Sequence, residues 1–166
     1  EALQRASALR VTLLAEELTR VLHALDREGI PAIPLKGPAL AESLYGDRTL
    51  RTAGDLDVLV PRAQARRAIQ ALAGIGYAPE ITAPFLDRLV LHARVECSLR
   101  KPGPLLDTHL DLHWGILLLP RWEREAMRDL WARATPSTCL GDAPCLAPSP
   151  EWELLYLCAH AATHRW

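Results

Sequence analysis

Residues 54–60 read GDLDVLV, two aspartates set among leucine and valine. A side-chain period of two is that of a β-strand, so Asp55 and Asp57 leave one face while Leu56 and Val58 enter the layer on the other. A strand over Asp55 to Val60 therefore needs helices or further strands against its apolar side.

The flanking sequence supplies them. From Leu3 to Arg27, Leu9, Leu13, Leu14, Leu18, Val21, Leu22 and Leu25 recur at helical spacing, and Gly29 stops the pattern. Ile30 to Leu35 reads as a short buried strand broken at Gly37-Pro38, and Ala39 to Tyr45 returns to helical spacing. Gly46 to Gly54 reads as an exposed loop feeding the aspartate strand. Pro61 opens a helix from Arg62 to about Leu72, closed by Gly74 and Gly76. Two strand–helix units thus follow one another. Leu89 to Leu99 and Leu105 to Trp114 alternate as strands, with Lys101-Pro102-Gly103-Pro104 as the turn between them, so the second half of the sheet is expected to be antiparallel. Arg121 to Arg133 reads as a helix, Thr135 to Pro150 as a proline-spaced loop or short hairpin, and Glu151 to Trp166 as an apolar helix.

The fold class this implies is α/β (α+β), a small mixed sheet with flanking helices. Three regions are expected. Residues 1–30 form an N-terminal helix packed on the core, 31–135 the core itself, and 136–166 the start of a C-terminal helical region that continues in the natural protein.

With 166 residues, 49% hydrophobic and 23% charged, the chain is expected to bury one ordinary core. Its net charge of -1 offers no global basic field for nucleic acid or an anionic membrane. No apolar run approaches the roughly 20 residues of a membrane span. The N-terminus lacks a secretory pattern, so a cytoplasmic location is expected. Cysteines 97, 139, 145 and 158 lack C-x-x-C spacing, which favours reduced thiols over structural zinc.

Two carboxylates about 7 Å apart along a strand, at roughly 3.3 Å per residue, suit a pair of divalent ions held about 3.5 to 4 Å apart. Such ions neutralise the charge that develops on a transferred phosphoryl or nucleotidyl group. A bare D-x-D is also a common solvated strand end, so its surroundings matter. Upstream, Leu35-Lys36-Gly37 forms a strand-to-helix turn, where backbone amides and the helix dipole attract phosphate. Lys36 is one of only two lysines. Arg48 and Arg51 lie in the loop before the aspartates, placed to grip phosphate oxygens or simply to be solvated. On the strand from Leu105 to Trp114, Asp107, His109, Asp111 and His113 share one face, while Leu106, Thr108, Leu110 and Leu112 share the other. A polar face of this kind implies a cleft.

The stretch LKGPALAESLYGDRTLRTAGDLDVLV at residues 35–60 resembles the signature of the uncharacterised nucleotidyltransferase family of bacteria, a branch of the polymerase-beta-like superfamily. LDLHW at 110–114 and HAATHRW at 160–166 resemble two later stretches of the same family. The resemblance implies a nucleotidyltransferase fold and an NTP substrate, with magnesium or manganese as cofactor. It matches Gly37 to the glycine turn, Asp55 and Asp57 to the metal pair, and Asp111 to the third carboxylate, which serves as metal ligand, general base or both. Gly37 is thereby a candidate nucleotide-binding residue, beside Lys36, Arg48 and Arg51, which are candidates by their position alone. The turn departs from the superfamily pattern, with Lys36-Gly37 in place of Gly-Ser and a longer spacer to Asp55.

Alternatives stand beside this reading. Glu96 is a second candidate for the third acid, and His109 and His113 either serve as base or only hydrogen-bond nearby. His160 and His164 have the spacing of a zinc H-E-x-x-H, but Ala161 occupies the glutamate position, so packing or a polar contact is expected instead. The five tryptophans read as core or interface residues, and the arginines at 62, 66 and 67 as a solvated helix face. Clustered like charges should destabilise the metal-free fold, so neutralising Asp55 or Asp57 is expected to stabilise it. The acceptor hydroxyl is open between a small molecule, a protein side chain and an RNA end. A non-catalytic nucleotide- or partner-binding module, or a phosphohydrolase using the same acids, is the rival function.

Overall fold

A computed structural model describes residues 2–80, 95–116 and 120–163. The N-terminal part of the strand expected from Leu89, together with His164 and Trp166, lies outside them. Five α-helices and seven strands are described: α1 (Ala2–Arg27), β1 (Ile33–Pro34), α2 (Pro38–Tyr45), β2 (Leu56–Leu59), α3 (Ala65–Ala73), β3 (Ala78–Pro79), β4 (Glu96–Lys101), β5 (Thr108–His113), α4 (Pro120–Arg133), β6 (Thr135–Cys139), β7 (Ala143–Ala147) and α5 (Pro150–Thr163). Short 3-10 turns cover Arg48–Leu50 and Arg62–Gln64. The chain is thus a mixed α/β protein. The second of these turns takes up the start of the helix expected from Arg62, and the segment after Thr135 forms a hairpin.

The main sheet runs β1-β2-β5-β4-β3. β4 pairs antiparallel with both β5 and β3. β1 is also antiparallel to β2, although α2 lies between them in sequence. The one parallel junction among the described strands joins β2 to β5. A parallel pair needs a long crossover, and here α3, β3 and β4 supply it.

One sheet face follows the alternation. Leu56, Val58 and Val60, Leu110 and Leu112, and Cys97 and Leu99 meet Leu14, Leu18, Leu22 and Leu25 of α1 and Ala65, Ala68 and Leu72 of α3. Burying a side chain of leucine size contributes about 1.5 to 3 kcal/mol, so this face carries much of the hydrophobic stabilisation. Leu59 takes the opposite face, where it joins Ile33, Leu35, Ile116, Leu130 and Tyr156 beneath α4 and α5. Asp57 and Leu59 share parity, so this second face is part apolar cluster and part acidic site.

The β6–β7 hairpin is tied in by Leu146 N–H, which donates to Ala32 O at 2.8 Å. Glu42 accepts from Leu140 N–H at 2.7 Å, fixing the hairpin tip to α2. Opposite the acids, Lys101 and Arg20 pair with the buried Glu17 of α1 at 2.7 and 2.8 Å. Burial opposes ionisation of Glu17, but these two partners outweigh it and lower its pKa. Trp114 is buried in the first cluster, Trp131 and Trp152 pack on the second, and no described helix is long and apolar enough to cross a membrane.

Candidate metal centre and its surroundings

The parallel register sets Asp57 opposite Asp111, and the antiparallel register sets Ser98 opposite Asp111 on its other side. Asp55 lies just before β2, two residues from Asp57 and on the same face. One carboxylate oxygen from each of Asp55, Asp57 and Asp111 lies within 4.8 Å of the others. No other group of three metal-ligating side chains meets that criterion among the described residues.

The turn before α2 completes the setting. Gly37 has φ 71° and ψ -140°, a conformation that only glycine adopts without strain. A Cβ there would sit 3.6 Å from Asp55 O and 3.9 Å from Ala53 Cβ, ordinary contacts, so backbone conformation rather than space demands glycine. Leu35 N–H donates to Asp57 O at 3.0 Å, which brings Lys36 beside the aspartates. Its Nζ lies 3.1 Å from Asp57 Oδ2 and 3.5 Å from Asp55 Oδ2, and 3.3 Å from His160 Nε2 on α5. Arg10 of α1 donates to Ala53 O and Gly54 O at 3.2 and 2.8 Å, bracing the loop that leads into Asp55.

Asp57 is enclosed. Its side chain is 2% exposed, and Oδ1 lies 3.1 Å from His113 Nε2. Burial raises the cost of charging Asp57, but His113 and Lys36 outweigh it and hold the pKa below its usual value. His113 Nδ1 meets Glu96 Oε2 at 3.1 Å. Burial alone would discharge His113, but its hydrogen bonds to Asp57 and Glu96 prevail and raise its pKa to about 9. Neutralising Asp57 would leave the buried His113 and the largely covered Lys36 without their anionic partner, an effect opposed to the relief of repulsion. Asp111 is shifted upward, first by burial and then by the Asp57 charge, although Ser98 Oγ donates to its Oδ1 at 2.6 Å and opposes the shift.

A cation fits this donor set. Asp57 Oδ2 is buried and accepts no aligned hydrogen bond, even though Lys36 stands within ion-pair range. Three hard carboxylate donors whose oxygens converge suit a divalent cation.

The other predicted residues divide. Glu96 pairs with His113 and is not part of the acid triad. His109 is half-exposed and lies 3.2 Å from Glu80. Arg48 and Arg51 bracket the 3-10 turn before β2, and neither forms an ion pair with the three acids. Arg51 Nη1 is nonetheless buried with no hydrogen-bond partner. One contribution went unread in the sequence. Tyr156 of α5 presents its ring to His113 at 6.4 Å and to His160 at 5.9 Å between centroids. Its hydroxyl is buried without a hydrogen-bond partner, and burial followed by the charges of Asp57, Asp55, Glu96 and Asp111 pushes its pKa upward. Tyr156 and His160 are four apart, one helical turn, which was the only sequence signal that they share a face.

This fold and this site define a class, α/β proteins whose sheet gathers a carboxylate cluster able to hold a divalent cation. The chain belongs to the uncharacterised nucleotidyltransferase family, whose family model matches residues 1–166. Its mixed sheet and flanking helices are consistent with a nucleotidyltransferase fold. No curated protein and no solved structure matches the chain.

Proposed function

We propose that this protein is a metal-dependent nucleotidyltransferase that moves a nucleoside monophosphate from an NTP to an acceptor hydroxyl and releases pyrophosphate. The observation that carries this reading is the triad of Asp55, Asp57 and Asp111, with ligand oxygens within 4.8 Å of one another and a buried Asp57 oxygen lacking an aligned donor. Asp55, Asp57 and Asp111 would hold magnesium or manganese, which would supply charge neutralisation for the triphosphate and the departing pyrophosphate.

The chain's own groups do the rest. Ser98 holds Asp111 Oδ1, leaving Oδ2 to take the proton of the acceptor hydroxyl. The hydroxyl oxygen then bonds to the α-phosphorus, the bond from that phosphorus to the bridging oxygen breaks, and pyrophosphate leaves with the electron pair. The first-turn amides of α2, with Gly37 and the side chains of Lys36, Arg48 and Arg51, receive the phosphates. The acceptor is a small molecule, a protein side chain or an RNA end, met in the cytoplasm.

Incubation with each α-labelled NTP, separately and with manganese, tests this. Label should pass to a small-molecule, protein or RNA fraction, or to the protein itself, with pyrophosphate released, and Asp57→Asn should abolish both. Free nucleoside monophosphate as the sole labelled product would indicate a hydrolase. No turnover with any NTP and acceptor fraction would favour a binding module.

A further inference from the structure

We propose that Lys36 is a built-in counter-cation, seated where the divalent ion binds, which weakens the site for free metal and favours metal that arrives already bound to a triphosphate. This inference rests on the metal-site reading above and specifies how that site is loaded.

Lys36 Nζ faces Oδ2 of both aspartates, at 3.1 and 3.5 Å, and its side chain is only 11% exposed. It therefore lies over the same two carboxylates that the cation needs. An ammonium and a divalent ion sharing those oxygens in a poorly solvated cleft repel strongly, because Coulomb energy varies inversely with both distance and dielectric. His160 Nε2, at 3.3 Å, gives the ammonium a third neighbour and helps retain it. A free cation has to displace Lys36 from partners that nothing replaces. A cation carried on a triphosphate brings anionic oxygens along, and the lysine can pair with those while the carboxylates turn to the metal. Position 36 is fixed by the turn itself, since Leu35 is hydrogen-bonded to Asp57 and the positive-φ Gly37 redirects the chain immediately afterwards.

The test is a change of opposite sign for two ligands. Isothermal titration of the whole chain with manganese alone should show Lys36→Met binding about tenfold or more tighter than wild type. The preformed complex of manganese with inorganic tripolyphosphate should bind Lys36→Met about tenfold more weakly. Lys36→Gln, which keeps a polar head in the cleft, should shift both affinities in the same directions and guards against a folding defect in the methionine variant. Unchanged or weaker affinity for manganese alone in both variants, or two shifts of the same sign, would overturn the proposal. Asp57→Asn separates the two levels of argument. If it binds manganese as wild type does, the metal-site reading falls; if it loses binding while the Lys36 variants do not gain any, only the counter-cation role falls.

Discussion

Asp57 of β2 and Asp111 of β5 face each other as register partners across the parallel junction of the main sheet. Two carboxylates at adjacent positions in neighbouring strands repel unless cations stand between or beside them. The chain answers that repulsion with Lys36 and His113 on Asp57 and with the Ser98 hydroxyl on Asp111.

Asp55 and Asp57 should therefore behave differently without metal and alike with it. Asp57→Asn is expected to lower the stability of the metal-free protein by about 3 kcal/mol, because it breaks a buried ion pair. Asp55→Asn should change it little, since that side chain is 42% exposed. At a manganese concentration about a hundred times Kd, wild type should gain roughly 5–10 °C in melting temperature. Both variants should lose that gain in thermal-shift measurements, and a retained gain would remove the residue from the ligand set.

Asp111→Asn separates a base from a ligand, since the amide keeps the shape of the carboxylate but accepts no proton at neutral pH. Acting as base, Asp111 should be needed for turnover but not for binding, so transfer should fall by roughly 100- to 10,000-fold at nearly unchanged manganese and NTP affinity. Parallel losses of affinity and rate would make it principally a ligand.

Arg51 combines a buried, unpartnered Nη1 with a position four residues before Asp55. Arg51→Ala should weaken NTP binding about tenfold while the manganese thermal shift stays as in wild type. The nucleotide-free melting temperature should scarcely fall, because the guanidinium nitrogen it removes has no partner to lose. Undiminished NTP affinity in a titration would assign Arg51 to the scaffold.

Glu17 reports on the opposite side of the sheet. Its carboxyl is lowered from an ordinary value of 4.5, so its contribution to stability is present above about pH 4.5 and is lost as pH falls through the lower folded-state value. Glu17→Gln should cost about 2 kcal/mol at pH 7 through the stranded Lys101 and Arg20. The difference in unfolding free energy between wild type and variant, followed by urea denaturation, should shrink as pH falls below 4.5 and through the lower folded-state value. A constant difference across that range would mean that Glu17 acts through packing alone.

Local periodicity was enough to read the helices, the faces of β2 and β5, and the convergence of Asp55 with Asp57, because each depends only on how side chains project from a regular backbone. The polar face holding Asp111 and His113 was legible for the same reason. Periodicity does not say which strand lies beside which, and the acid triad exists because β5, not its sequence neighbour β3, sits against β2. Nor does it say what closes the site. Lys36 and His160 are 124 residues apart, and Glu96 finds His113 and not the acid triad because the β4–β5 register sets those two opposite each other. Those choices follow from burying α1 and α3 on one side of the sheet and α4 and α5 on the other, a condition on the whole core that no single segment contains.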